Sequence, residues 1–231
     1  MKKIYWAYCD NQFQVRAEEP VPIFKNYFKG KDIVEDGLHY VRCPAFKDLF
    51  KNTFGIKSLF DYDLHFGDEV TSSTHDQDFY DKMVYVRNAK SKLVSLHFRY
   101  ILIAEDDSLE MEILPSIMEN NSFNATSILI PGVLDVGKYL RAQECAFHCR
   151  EDNMVIKEDD IYAYIKFNTN DNIKFQRFLW TDEIQNTISD TVAGAKDYNR
   201  KKFKPLAWYY KKQQALKTKQ RVMKLIKQNL L

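Results

Sequence analysis

From residue 93 to residue 180 the chain alternates short apolar runs with brief polar interruptions, a rhythm that predicts a β-meander. LVSLHFRYILIA (93–104), the polar stretch EDDS and LEMEIL (109–114) read as two strands joined by a hairpin turn. CAFHCR (145–150), the turn EDN and MVIK (154–157) read as a second pair. IYAYIKF (161–167), the loop NTNDN and IKFQRFLW (173–180) read as a third. In that last pair Tyr162, Tyr164 and Lys166 alternate with Ile161, Ala163, Ile165 and Phe167, which predicts one buried and one wet face. KIYWAY (3–8) and FDYDLHF (60–66) add two earlier strands, and nine to twelve are expected in all.

Helical periodicity is rarer. Phe46, Leu49, Phe50 and Phe54 fall on one face of a short helix predicted over 45–54, just after Pro44. TDEIQNTISD (181–190) opens with a capping pattern and predicts a second. From about Pro205 a longer helical stretch places Leu206, Tyr210, Leu216, Met223, Ile226 and Leu230 at helical spacing, with lysines between. The predicted fold class is therefore mainly β (α+β). An antiparallel β-sandwich or jelly-roll-like body spans residues 1–180, and a basic helical C-terminal extension spans 181–231.

Composition supports a folded chain. In 231 residues, 45% are apolar and 14% aromatic, enough for a substantial core with a lean toward sheet. The start, MKKIYWAYCDNQ, lacks the apolar run of a signal peptide, and 93–104 is too short and too charged to span a bilayer, so no membrane association is expected. A cytosolic setting makes Cys9, Cys43, Cys145 and Cys149 free thiols rather than a disulfide framework. Net charge is only +2, yet residues 199–231 hold 11 Lys and Arg and no acid, which leaves a net of −9 in residues 1–198. An acidic body carries a basic tail.

Three stretches are candidates for chemistry. PGVLDVGKYL (131–140) has the Gly132, Gly137, Lys138 spacing of a phosphate-binding loop, but Tyr139 stands where the magnesium-binding hydroxyl belongs. Bulky Val133, Leu134 and Val136 obstruct an anion, and no βαβ unit follows, so the stretch reads as a turn. His75 with Asp76 or Asp78 and a distant His97 or His148 has the residue types of a two-histidine, one-carboxylate iron site, without its local spacing. Cys145, His148 and Cys149 have zinc-ligand types, yet on a strand the two thiols share a face and His148 points away. Buried thiols are the simpler reading, and no metal or cofactor is expected.

The basic tail is the more informative feature. Arg200, Lys201, Lys202, Lys204, Lys211, Lys212, Lys217, Lys219 and Arg221, with Trp208 among them, suit an acidic protein surface and also the phosphates and bases of a nucleic acid. A third possibility is a helix packed on the sheet with its charges solvated.

Several segments resemble an uncharacterised protein family encoded by tailed bacteriophages. They are KKIYWAY, RAEEPVPIFKNYF (16–28), RCPAFKDLFKNTFGIKSLFDYDL (42–64), the strands around LVSLHFRY and LEMEILP, and IPGVLDVGKYLRAQECAF with IKEDDIYAYIKFNT. The resemblance covers most of residues 1–180 and implies a phage protein, acting in the host cytoplasm or in the virion, with other phage proteins as partners. A fainter similarity to the dUTPase-type β-fold rests on the order of Gly132, Asp135 and Tyr139, with Arg141 and an apolar strand following, and on FDYDL (60–64). It implies candidate ligand-binding residues Asp61, Asp63, Asp135, Tyr139 and Arg141. That family's Pro-Arg-Ser motif and its glycine-rich arm have no counterpart here. The expected function is a phage-encoded structural or interaction protein, either a virion component or an accessory binding module, rather than an enzyme. The alternative is a nucleotide-binding protein or hydrolase on the dUTPase-like fold.

Overall fold

The structure, a computed structural model, describes residues 1–24, 37, 39–138, 140–192 and 206–231. It is mainly β, with several antiparallel sheets and its longest described helices toward the C-terminal end of the sequence. Fourteen strands occur among the described residues, more than expected because several are only two or three residues long.

The main sheet has the order β14-β1-β7-β11-β9, with β6 beside β7. Its strands are β1 (Lys2–Tyr8), β6 (Val84–Asn88), β7 (Leu93–Ala104), β9 (Ser127–Leu129), β11 (Ala142–Cys149) and β14 (Ile173–Arg177). A second sheet runs β10 (Gly132–Leu134), β8 (Met111–Pro115), β13 (Ile161–Phe167), β3 (Thr53–Lys57) and β2 (Val21–Pro22). A third holds β12 (Asn153–Ile156), β4 (Tyr62–Phe66) and β5 (Val70–Ser72). The pairing of β1 with β14 is parallel, and the other pairs are antiparallel.

The expected strands form, but the three expected hairpins do not. β7 pairs with β1, β6 and β11, while β8 pairs with β10 and β13 in the second sheet. β12 leaves β11 for the third sheet, and β14 leaves β13 for the edge of the main sheet. The physical reason is reach. Facing sheets lie about 10 Å apart, and a loop of three to six residues spans that gap at about 3.3 Å per residue. A short polar turn therefore serves a change of layer as readily as a hairpin.

The main sheet is covered on both faces. Ile4, Trp6, Tyr8, Phe98, Tyr100 and Leu102 share one cluster with Met111, Tyr162 and Ile165 of the second sheet and Leu64 and Ile156 of the third. On the opposite face Tyr5, Ala7, Ile101 and Ile103 pack with Ile184 and Ile188 of the helix Asp182–Val192, and with Val222 and Ile226 of the helix Thr218–Gln228. This double cover is why β1 and the end of β7 are continuous apolar runs.

β13 is buried on both faces too, so its expected wet face is absent: Tyr162 is 0% and Tyr164 2% exposed. A register shift between Ile161 and Ala163 sends Ile161 and Tyr164 against Ile23 and Phe50, and Tyr162 and Ile165 into the main core.

The α-helices that lie wholly among the described residues are, in chain order, α1 (Pro44–Phe50), α2 (Gln77–Met83), α3 (Ser122–Thr126), α4 (Asp182–Val192), α5 (Leu206–Ala215) and α6 (Thr218–Gln228). α1 is shorter than its apolar spacing predicts. Asn52 adopts a left-handed φ of 54°, and its amide donates to the carbonyls of Thr169 and Asp171, so Phe54 enters β3 instead. In the tail Val222 and Ile226 are fully buried, whereas Leu216 and Leu230 are exposed.

Candidate functional site

The phosphate-loop spacing at Gly132–Lys138 resolves into a strand and a turn. Gly132, Val133 and Leu134 form β10 against Ile113, Glu112 and Met111. The following N–H groups are already used: Val136 donates to the Leu134 carbonyl, Gly137 to Leu109 and Lys138 to Asp135. Gly137 is glycine because its backbone lies against residues 106 and 107, where a Cβ would sit 2.6 Å from the Asp107 carbonyl carbon. The Lys138 ammonium lies 2.8 Å from Asp135 Oδ2. Nothing in this backbone is arranged to cradle a phosphate.

The segment 132–141 instead separates two clefts, and both are completed by the C-terminal helices. The first, of about 550 Å³, lies between the acidic turn 105–107 and α5–α6. There Lys219 Nζ donates to the carbonyls of Gly137 (2.6 Å) and Glu105 (3.2 Å) and pairs with the Asp107 carboxylate. Lys227 pairs with Glu105 at 3.3 Å. The buried Gln213 docks α5 onto the loop: its Oε1 accepts from Leu140 N–H (3.4 Å) and its Nε2 donates to the Leu140 carbonyl (3.2 Å). On the same acidic turn, hydrogen bonds from Lys2 and Ser108 hold the Asp106 carboxyl well below the usual carboxylate range.

The second cleft, of about 490 Å³, opens between the layers. Leu102 and Gln143 come from the main sheet, Met111 and Leu134 from the second, Asp135, Val136 and Arg141 from the loop, and Tyr210 from α5. Arg141 donates to the Tyr210 hydroxyl and to Glu144 Oε2, each at 3.3 Å. Glu144 Oε1 accepts from Arg87 at 2.8 Å, and His97 Nδ1 lies 3.9 Å from Oε2. The Glu144 side chain is only 3% exposed, a buried carboxylate held between two guanidiniums.

Gln143 is also 3% exposed. Its Nε2 reaches only the Met111 sulfur at 3.9 Å, and its Oε1 has no hydrogen-bond partner among the described residues. Asp135 Oδ1 is likewise buried and without a partner there.

Of the residues singled out in the sequence, Asp135 and Arg141 meet on this second cleft. Tyr139 lies outside the described residues. Asp61 and Asp63 do not line the cleft: Asp61 precedes β4 and accepts the Glu158 N–H at 2.7 Å, and Asp63 lies within β4 and accepts the Ser73 hydroxyl at 2.8 Å. In the tail Trp208 is 43% exposed with the Lys212 ammonium 5.8 Å from its ring centre. Lys211, Lys217 and Arg221 are exposed, and Lys219 turns inward onto the acidic turn. Arg200, Lys201, Lys202 and Lys204 lie outside the described residues.

The histidine and cysteine constellations separate. His75 Nε2 is 2.7 Å from the Asp61 carbonyl, and its ring stacks on Phe79, while Asp76 caps α2 through the Phe79 N–H. Burial pushes the Cys145 and Cys149 thiols up to about 12, and His148 is exposed on the other face of β11. Among the described residues no three His, Cys, Asp or Glu side chains converge as metal ligands.

Sequence reasoning missed Gln143 and the Arg87–Glu144–Arg141 cluster. The signal for Gln143 was present. In AQECAFHC it occupies the same alternate positions as Cys145, Phe147 and Cys149, a polar residue on an otherwise apolar inward face.

No helix among the described residues is long and apolar enough to cross a membrane. Comparison with known proteins adds no constraint: no protein-family model and no curated protein sequence matches the chain.

Proposed function

We propose that this protein is an interaction module that assembles with a protein partner through the free edges of its sheets. The observation that carries this reading is the segment 127–134. Among the described residues it forms β9, which ends the main sheet, and β10, which ends the second, joined only by Ile130 and Pro131. Ile128, Ile130 and Val133 are 38%, 46% and 61% exposed along it. Two adjacent strand edges bearing exposed β-branched side chains suit the addition of a partner strand. The apolar cluster shared by the main and second sheets supports reading the body as a sandwich, which would present both edges on one ridge. The resemblance across residues 1–180 suggests a phage-encoded protein of the host cytoplasm or the virion, with another phage protein as the partner.

Quantitative mass spectrometry of purified particles, and of complexes captured on the tagged chain in infected cells, tests the reading. The chain should co-purify with a phage protein at fixed stoichiometry, and the double variant Ile130→Lys, Val133→Lys should lose that protein. Capture unchanged by the edge variant, or a chain that runs alone, overturns it.

A second reading, nucleotide binding on a dUTPase-like fold, draws its support from Asp135 and Arg141 meeting on one cleft. Thermal shift against a nucleotide panel with magnesium separates it from the first.

A further inference from the structure

The second cleft carries an inference that goes beyond the assembly reading and does not depend on it. Buried polar atoms without partners are uncommon, because each forfeits its hydrogen bonds to water and gains none in return. Here two of them, Gln143 Oε1 and Asp135 Oδ1, belong to residues that line a single cleft. Both are acceptors. The donors around them are committed elsewhere: Arg141 to Tyr210 and Glu144, and Lys138 to the other oxygen of Asp135. What these two oxygens lack is a hydrogen-bond donor. Leu102, Met111, Val133, Leu134 and Val136 supply the cleft's apolar surface, and Glu110 adds a further carboxylate to the lining. Both acceptors are planar-group oxygens, which receive hydrogen bonds best near their own plane.

We propose that this cleft binds a flat, apolar small molecule that ends in an N–H-donating amidinium or guanidinium group. The planar cation donates to Gln143 Oε1 and Asp135 Oδ1, and its apolar body lies between the two sheets against Leu102 and Met111. Arg141, fixed by Glu144 and Tyr210, bounds the cleft and excludes a second cation from that side. Sites of this kind, apolar with a few convergent polar atoms, are where small ligands are held in layered folds.

Benzamidine and benzoate, the same shape with donors exchanged for acceptors, make a direct test. In the full-length protein, titration followed by two-dimensional NMR should show saturable shifts for benzamidine at the Gln143 side-chain amide and the Leu102 methyls, and none for benzoate. Gln143→Leu removes one acceptor and should weaken benzamidine binding at least tenfold. Asp135→Asn, on a partly exposed side chain, should weaken it similarly and serves if the first variant fails to fold. Benzoate binding as tight as benzamidine, no saturable benzamidine shift at millimolar concentration, or an affinity indifferent to both substitutions would each overturn the proposal.

Discussion

Two buried glutamines stand on opposite sides of the 132–141 segment, and they are in opposite conditions. Gln213 is 2% exposed, and both ends of its amide are bonded to the backbone of Leu140. Gln143 is 3% exposed, and its oxygen has no partner among the described residues. The first acts as a structural pin, holding α5 against the loop with the pairing that a strand neighbour would otherwise provide. The second costs stability where it stands. Burial alone does not separate a structural polar residue from a functional one; the state of its hydrogen bonds does.

The largest test removes the frame on which the comparison rests. Ile226 is fully buried against the outer face of the main sheet. Ile226→Ala should cost about 2–5 kcal/mol in denaturant unfolding. Deleting 200–231 should therefore strip Val222 and Ile226 from the face formed by Tyr5, Ala7, Ile101 and Ile103 and abolish cooperative unfolding. A truncated chain with a sharp transition and unchanged midpoint would show that the helices merely lean on the sheet.

Next in size is the pin itself. Gln213→Leu leaves the buried N–H and carbonyl of Leu140 without their partner, a loss of about 1–3 kcal/mol. Gln143→Leu should move stability the other way, raising the denaturant midpoint by the equivalent of about 1 kcal/mol, because an apolar side chain of similar size replaces an unpaired amide oxygen. If both variants destabilise equally, Gln143 has a structural partner and the contrast fails. The smallest effect is expected at Lys138. Its pairing with Asp135 is half exposed and local, so Lys138→Ala should change stability by no more than about 0.5 kcal/mol and leave any nucleotide binding unaltered in a direct titration.

The elements were legible in the sequence, and their partners were not. KIYWAY, LVSLHFRYILIA and IYAYIKF are strands because runs of β-branched and aromatic residues fit an extended, packed backbone whatever lies beside them. TDEIQNTISD is a helix because its capping residues and apolar spacing are local properties. The second face of β13 was hidden because a single register shift, invisible in the pattern, turned Tyr164 toward Ile23 and Phe50. The inward turn of Lys219 was hidden for a related reason. Its acceptors on Glu105, Asp107 and Gly137 lie more than 80 residues away, and a run of lysines does not disclose which one meets them. Of the candidate cleft, Asp135 and Arg141 were read from a motif resemblance, while Gln143 was readable from alternation alone.

The parallel pairing of β1 with β14 bears on how the chain is made. β1 lies between β7 and β14, so one neighbour comes about 95 residues later and the other about 170 residues later. At a synthesis rate of about 5–20 residues per second, the first strand waits on the order of ten seconds at the ribosome before residues 173–177 emerge. Until β7 emerges Ile4, Tyr5, Trp6 and Tyr8 have no partner strand, and until β14 emerges the other edge of β1 stays unpaired. Nascent chains stalled before residue 173 should therefore recruit chaperones and resist folding, while release of a longer chain should let the sheet close in a single late step.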